Sequence, residues 1–600
     1  MSADKQINYA ELEFAGAIAG VAKFESDPPE GAVPYKIAFL RNITLDPVVP
    51  YLEYLCWQSN LKPEIYMSGF DVAMQEAADS RSGLFENNPD LIVVALTLDL
   101  LSEPISRRFA SLSGVDVAAA ADQVAGFMVS VLENIRKKSR AAIIVHSFET
   151  PAFPAYGILD FQNAGRQTGT IAGLNARLAE DASRIGNCYI LSVDNLIARV
   201  GREKFADPRM WHMGKIPYSR EAWKAVAAEY AKYIRALRGR NKKCLVLDCD
   251  NTLWGGVVGE DGINGIRIGE NFPGSCYRDF QLAVLNLYHR GVILAVCSRN
   301  NEEDALEVFD KHPDMALRRE HFAAMRINWN DKASNIKEIQ EELNIGMDSI
   351  VFADDSGMEV EMAGRMLPEL TTILLPKDAS RYAETISNCG FFDALAISDE
   401  DRNRGRMYRA ESERKQLSAS YSDVGEYLRS LDIDIKITRA DSFSMPRIAQ
   451  LMSRTNQFNL AGKRYTETEI AGLASTDGCD VLCLQYSDRF GDMGIVGAAV
   501  LIHEPGVATI DSFLLSCRAL GRRVEDLLLA ECLKISKNKN EVIVKGIYAP
   551  SKKNSQTADF YLKAGFVKDF EKDGNVHFVF DTERKNIKTP DVFKTVAVAI

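Results

Sequence analysis

Asp248 and Asp250 stand two residues apart at the end of an apolar run, Cys244-Leu245-Val246-Leu247. The run reads as a buried parallel strand. The carboxylates follow its C-terminal end, where open α/β sheets place their ligands. A buried carboxylate is costly unless a cation or hydrogen bonds compensate it. An Asp-rich turn closed by Asn251 and Thr252 also fits a plain structural role, so the pair alone leaves both readings open. Further pieces follow in order. A second apolar run, 292–297, closes on Ser298-Arg299-Asn300. Lys332, in Trp329-Asn330-Asp331-Lys332, precedes a helix-like segment. A third run, 350–353, ends in Asp354-Asp355-Ser356. Phosphoryl transfer needs such a set: a nucleophile, a hard-cation site and positive charge for the phosphate.

The order and spacing of these pieces resemble the haloacid dehalogenase (HAD) superfamily of aspartate-nucleophile phosphatases. The resemblance implies that Asp248 attacks phosphorus and forms an aspartyl-phosphate. It implies that Asp250 protonates the leaving oxygen and then activates water. Ser298 and Lys332 would hold phosphoryl oxygens, with Thr252, Arg299 and Asn300 on the substrate side. Mg²⁺ would be bound by Asp248, the carbonyl of Asp250 and Asp354, with Asp355 beside it or acting through water. That cation prefers oxygen ligands and keeps its waters. Only a glycine-rich hairpin, 254–262, a loop and a helix fit between Asp248 and Ser298, and no inserted domain fits before Lys332. The expectation is a capless site, open to a large phosphorylated substrate or a protein-tethered thiol.

The elements that must position these residues lie in a chain of 600 residues, which suggests three or four domains. Hydrophobic residues make up 46% and charged residues 26%, as in ordinary globular proteins. The formal net charge of −12 disfavours nucleic acid as a partner. There are 11 cysteines, an odd number, and no CxxC pair. Cys244, Cys297 and Cys483 lie in apolar runs, as inert core thiols do in a reducing compartment. Neither a signal peptide nor an unbroken apolar run of membrane-spanning length is visible. A cytoplasmic chain without membrane association is therefore expected.

Strand and helix patterns alternate from 36 to 200, implying a parallel sheet with crossover helices. Strands are expected at 36–40, 64–67, 91–96, 141–145 and 188–192, with helices at 48–57, 115–137 and 220–237. A second α/β unit spans 242–395. Residues 396–432 are polar and charged, with sparse apolar positions, and read as exposed helices connecting two domains. The last unit, 433–585, reads as α+β around an antiparallel meander. Segment 1–35 precedes the first domain, and the tail 586–600 is expected to be partly loose.

In the last unit, Ser516-Cys517-Arg518-Ala519-Leu520-Gly521-Arg522-Arg523 lies between a strand and a helix. Amides at a helix N-terminus opened by glycine can bind a pyrophosphate. The pattern resembles the coenzyme A loop of GNAT acyltransferases, Gln/Arg-x-x-Gly-x-Gly/Ala. Residues 560–566, preceded by Asn554, resemble the later GNAT segment along the pantetheine arm, which implies roles for Asn554 and Tyr561. The same residues also fit a structural turn and a core packing pair. Arg523 stands where that family prefers Gly or Ala, which makes a phosphopantetheine arm on a carrier protein a substitute for coenzyme A. No general base stands out, although Asp492 is a polar candidate.

The first unit, 36–237, resembles an SGNH-hydrolase-like (flavodoxin-like) domain. That resemblance implies a serine after the first strand, but Phe39-Leu40-Arg41-Asn42-Ile43-Thr44 offers none. Asn42 cannot act as nucleophile and Thr44 comes two positions late. The only Asp…His candidate, Asp207 and His212, has altered spacing. The domain is expected to be inactive, with Trp211 and His212 lining a groove or packing a junction.

The whole order is SGNH-like, HAD, charged connector and GNAT-like. With WGGVVGEDG, SRNNEEDALEVF, INWNDKASNI and LSCRALGRRVED, it resembles the FkbH-like family along almost the whole chain. Members are implied to take a glyceryl unit from 1,3-bisphosphoglycerate, remove phosphate and load an acyl-carrier-protein thiol; others belong to polysaccharide loci. The family commonly has Asp-Asp-Asn-Pro where this chain has Asp354-Asp355-Ser356-Gly357. The fold class expected is thus multidomain α/β: flavodoxin-like, capless Rossmann-like and α+β GNAT-like. The alternative is a plain Mg²⁺ phosphatase of a small phosphorylated metabolite, with a GNAT-like domain modifying a sugar or amine. A non-enzymatic assembly module is a third reading. For a transient acyl-cysteine, Cys297 and Cys517 are the candidates, since neighbouring carboxylates raise the thiol pKa of Cys249.

Overall fold

Apolar residues fill both faces of the central strands in the first two sheets, as in parallel sheets covered by helices on each side. Five strands, β1 (Val33–Arg41), β2 (Leu61–Phe70), β3 (Leu91–Ala95), β4 (Ala142–His146) and β5 (Cys188–Leu191), pair in parallel in the order β2-β1-β3-β4-β5. That is the flavodoxin-like order. The computed structural model describes residues 12–599 except 30, 398, 419, 456, 552–553 and 586–588; the side chains of 399, 400, 412, 415, 416, 454 and 517 are outside that description. The chain divides into two compact units, Met1–Lys242 with Ala363–Ile373 and Cys389–Ala396, and Lys243–Met362 with Leu374–Asn388 and Ile397–Ile600.

Helix Gly114–Lys138 starts at a capping box made by Ser113 and Asp116. Its Val124, Met128, Val131, Leu132 and Ile135 lie on the face buried in the core. Among the described residues it is the one helix long and apolar enough to cross a membrane by length and composition. A search for unbroken apolar runs passes over it, because Asp116 and Asp122 interrupt its alanines and valines.

His146 ends β4, buried, with Nε2 2.6 Å from the Tyr230 hydroxyl. Burial pushes its pKa down to about 4 from 6.5. An unfolded chain takes up that proton near the ordinary value, while the folded one does not. The contribution to stability is therefore complete above the ordinary value and is lost as pH falls toward the depressed one, by about 3 kcal/mol. His146→Gln should remove this part of the acid sensitivity. Urea titrations near neutrality and at about pH 4.5 measure it.

The second sheet has β6 (Cys244–Leu247), β7 (Ile293–Ser298), β8 (Phe322–Ile327), β9 (Ile350–Asp354) and β10 (Thr371–Leu374) in the order β10-β9-β6-β7-β8. β6 pairs in parallel with β7 and β9, and β7 with β8. Strand order reverses at β6, so the ends of β6 and β9 lie together at the topological switch point. Among the described residues no domain is inserted between 248 and 332: the stretch holds the short helix Val258–Asp261, helices Gly274–His289 and Glu302–Lys311, and sheet strands. The two edge strands, β8 and β10, were not anticipated; β10 is four residues, two of them threonine, while β8 is largely apolar.

The third sheet is mixed and GNAT-like. It comprises β11 (Asp434–Arg439), β12 (Cys479–Asp488), β13 (Gly491–Glu504), β14 (Val507–Leu515), β15 (Ile543–Tyr548), β16 (Val567–Lys572), β17 (Asn575–Asp581) and β18 (Thr595–Ala599). Their order is β16-β17-β15-β14-β13-β12-β11-β18. β12, β13 and β14 form the expected meander. β14 and β15 pair in parallel only over Val507–Ile510 and then separate. The segment Phe458–Leu460 fills the gap: Leu460 N donates to Phe513 O and Leu515 N to Phe458 O, each at 3.0 Å, and Ala549 N donates to Leu460 O at 2.7 Å.

One expectation is refined here and another corrected. Within the tail, Thr595–Ala599 pairs in parallel with β11. Its side chains are exposed, so the backbone ladder holds it rather than burial. The connector is not merely exposed. Leu428 and Leu431 join the core of the third sheet. Arg414, in helix Arg404–Ser418, is buried and makes two hydrogen bonds to the buried Asp488, at 2.7 and 2.6 Å. A charged residue with a buried partner reads as solvated in a local pattern.

Candidate active site

The end of β6 carries Asp248, nearly buried, and the end of β9 carries Asp354, wholly buried. Lys332 joins them. It opens helix Lys332–Leu343 behind the Asp331 cap, which accepts from Ser334 N at 2.8 Å. Its Nζ lies 2.6 Å from Asp354 Oδ2 and 3.1 Å from Asp248 Oδ1. Asp354 Oδ1 accepts from Ser356 N at 2.8 Å. The Thr252 hydroxyl donates to Asp355 Oδ1 at 3.4 Å. Asp248, Asp354 and Asp355 each offer an oxygen, all within 4.8 Å of one another.

Burial pushes the pKa of Asp354 up to about 6, with the Asp248 charge adding and Lys332 opposing. Asp355 is raised for the same leading reason. Burial alone would lower the Lys332 ammonium, but Asp248 and Asp354 outweigh it and hold its pKa up. One ammonium therefore faces a three-carboxylate cluster. Asp248 Oδ1 is buried with the Lys332 ammonium as its partner. Three carboxylates that share one ammonium form a cluster of hard oxygen donors with excess negative charge, which fits Mg²⁺.

Asp250 has a different environment. Asn251 takes a left-handed conformation, φ 53°, and its Oδ1 accepts from Gly256 N at 2.9 Å. This turn folds Trp254 back over the strand end. Asp250 Oδ1 accepts from Trp254 Nε1 at 2.8 Å and from Val258 N at 3.1 Å. Asp250 Oδ2 accepts from Asn300 Nδ2 at 2.8 Å. Burial raises the Asp250 pKa and these three donors oppose the rise. Trp254 and the Val258 amide escaped sequence reasoning; Asp250 and Trp254 lie in a turn rather than a helix or strand, where periodicity does not say which side chains meet.

Ser298 ends β7, buried beside Cys249. Two neighbours have protein partners. Asn300 gives one of its two amide N–H groups to Asp250. Arg299 pairs with the buried Glu359 at 2.9 Å, so its charge is already balanced. Cys297 has no exposed surface and burial pushes its thiol pKa far up. A buried, protonated thiol is a poor acyl acceptor, which counts against an acyl-Cys297. The Cys517 side chain lies outside the described residues.

The arginine loop before helix Val524–Asn538 is built as a turn. Gly521 and Arg523 have φ of 76° and 62°, the left-handed region that glycine at 521 enters without strain. Its arginines do not stand free as a phosphate site requires. Arg522 is buried, pairs with Glu411 of helix Arg404–Ser418 and lies over the Tyr486 ring. Arg518 contacts Met407 of the same helix. Arg523 pairs with Asp526 at 3.2 Å. Asn554 is buried and bonds Ala549 O, Asn459 O and Ser551 N. Tyr561 is a core ring against Phe566 and Phe578. These two hold the fold rather than line a groove. Asp492 is exposed and accepts from Gly494 N.

In the first sheet, Asn42 exchanges both amide bonds with Thr97, donating to its O and accepting from its N at 2.8 Å. Asp207 caps helix Pro208–Gly214 through Met210 N, which is exposed at His212. Trp211 packs partly on the core.

The N-terminal part of the protein BF1531 from Bacteroides fragilis, containing a phosphatase domain and complexed with Mg, is similar: 27% identical, covering 64% of this chain and 99% of that one, with a TM-score of 0.59. The ribosomal-protein-S18-alanine N-acetyltransferase of Escherichia coli matches at 11% identity over 25% of this chain and 94% of its own, TM-score 0.20. The PaiA N-acetyltransferase of Thermoplasma acidophilum, in complex with coenzyme A, matches at 16% over 25% and 99%, TM-score 0.20. No family model and no curated protein matches the chain.

Proposed function

We propose that the chain is a Mg²⁺-dependent phosphatase of HAD type, working through an aspartyl-phosphate on Asp248. The observation that carries this reading is the convergence of Asp248, Asp354 and Asp355 around Lys332 at the switch point, with Asp250 held apart by its own donors. The similarity to a phosphatase-domain structure complexed with Mg adds to it. Asp248 and Asp354, with Asp355, would hold the cation, which neutralises the charge that otherwise repels an anionic phosphate. An Asp248 carboxylate oxygen bonds to phosphorus as the bond to the leaving oxygen breaks. Asp250 gives a proton to that oxygen where the leaving group needs one. It then takes a proton from the water that attacks phosphorus and frees Asp248. Lys332 and Ser298 steady the phosphoryl oxygens.

The finer reading follows from the FkbH-like order of the pieces. The substrate is an acyl phosphate of glyceryl type, and the acyl unit passes to the phosphopantetheine thiol of an acyl carrier protein in the cytoplasm. The ten cysteines with described side chains are unpaired, as a reducing compartment keeps them. The capless mouth suits a tethered arm. The first unit, with Asn42 bonded to Thr97 and Asp207 used as a cap, serves as a non-hydrolytic scaffold. The plain-phosphatase alternative gains from one observation: Arg522 is occupied by Glu411, so the loop offers no ready phosphate or coenzyme A site.

Phosphate release from a glyceryl-type acyl phosphate, with and without a phosphopantetheine-bearing carrier protein, separates the two. Release that depends on the carrier, with an acyl-carrier adduct in its mass spectrum, supports transfer. Equal release in both supports hydrolysis.

A further inference from the structure

Each carboxylate oxygen has two lone pairs for hydrogen bonds. On Asp250, Oδ1 uses both, one on the Trp254 indole at 2.8 Å and one on the Val258 amide at 3.1 Å. Oδ2 uses one, on Asn300 Nδ2 at 2.8 Å. Trp254 is fully buried, edge-on to Phe309 with ring centroids 5.7 Å apart, and Asn300 is nearly buried. Neither donor can swing away without opening the core. The clamp is therefore rigid and asymmetric, and it leaves a single open lone pair.

We propose that Trp254 and Asn300 are positioning residues: they lock Asp250 so that Oδ2 alone carries the proton and aims it at the leaving oxygen. This rests on the phosphatase reading above. In the step itself, the phosphorus–oxygen bond breaks, its electron pair stays on the leaving oxygen, and the proton moves there from Asp250 Oδ2. Asn300 sits two residues past Ser298, so the end of β7 steadies the phosphate with one side chain and orients the acid with another.

A series of phosphate esters tests this. Alkyl phosphates leave as poor alkoxides and need the proton; p-nitrophenyl phosphate and acyl phosphates leave as stable anions and do not. Asp250 also serves as base when the aspartyl-phosphate is hydrolysed, a step common to every substrate, so the first step is read alone, as the single-turnover rate of leaving-group release. Asn300→Ala should slow that release from an alkyl phosphate by about 10² while changing it for p-nitrophenyl phosphate by less than about threefold, a range set by what general acids contribute. Trp254→Phe keeps the ring and removes the N–H, and should give the same selective loss. Equal losses of the release rate on good and poor leaving groups would assign Asn300 to phosphate binding and overturn the proposal. If Trp254→Phe fails to fold, the Asn300 series decides alone. A wild-type protein that releases phosphate from no member of the series would count against the phosphatase reading instead.

Discussion

Asp248→Asn abolishes phosphate release and leaves the fold intact. The amide keeps the shape of the carboxylate but is no nucleophile, and loss of a covalent nucleophile typically costs at least about 10³-fold. The fold should survive because Lys332 keeps its shorter contact, 2.6 Å to Asp354. Two measurements check the result. Single-turnover phosphate release should fall below detection, and the phosphorylated protein seen by intact mass in wild type should be missing. Retention of more than roughly a tenth of the activity would show that Asp248 is not the attacking group.

Lys332→Met has a second, separable consequence. Lys332 is buried between Asp248 and Asp354. Removing the ammonium keeps a similar volume and leaves two carboxylates facing each other without a counter-charge. Breaking one partner out of a buried ionic cluster costs about 3–5 kcal/mol. The loss should appear in chelator and shrink when Mg²⁺ is added, since a cation that binds only the folded state stabilises it by mass action. Denaturant titrations of wild type and variant, each with chelator and with Mg²⁺, measure the difference. Phosphate release should drop by at least about 10² even with the cation, because a fixed positive charge on the phosphoryl oxygens is gone. Equal stability of the two proteins in chelator would mean that the carboxylates do not depend on Lys332.

The candidate set was legible in the sequence because each of its members ends an apolar run or starts a helix. Asp248, Ser298 and Asp354 take their places from fully buried strands, and such strands stand out as unbroken apolar stretches. The role of Asn300 was not legible. Its place beside Ser298 suggested the phosphate, and only the parallel pairing of β6 with β7, which sets Leu247 beside Val296, brings it to Asp250. Arg522 shows the same limit from another side. The Arg-x-x-Gly pattern is intact at 518–521, but the carboxylate that occupies Arg522 belongs to Glu411, far back in the chain, where local spacing says nothing. Arg299 and Glu359 are a further pair of this kind. The edge strands escaped for different reasons. β10 is four residues, two of them threonine, and β18 is held by backbone bonds with its side chains exposed. β8 is largely apolar, but a six-residue apolar run does not by itself separate strand from helix.

β18 gives the third sheet a weakness that its core does not share. The strand is five exposed residues on the open edge of β11, and it returns to residues that precede it by most of the sheet. Long-range closure of this kind comes late, after local contacts have formed. Until it arrives, and whenever it frays, β11 presents a row of free amides and carbonyls. Such an edge can recruit the same strand from another molecule, giving swapped dimers or aggregates during refolding at high concentration. Chains cut before residue 595 should therefore keep their chemistry and lose their solubility.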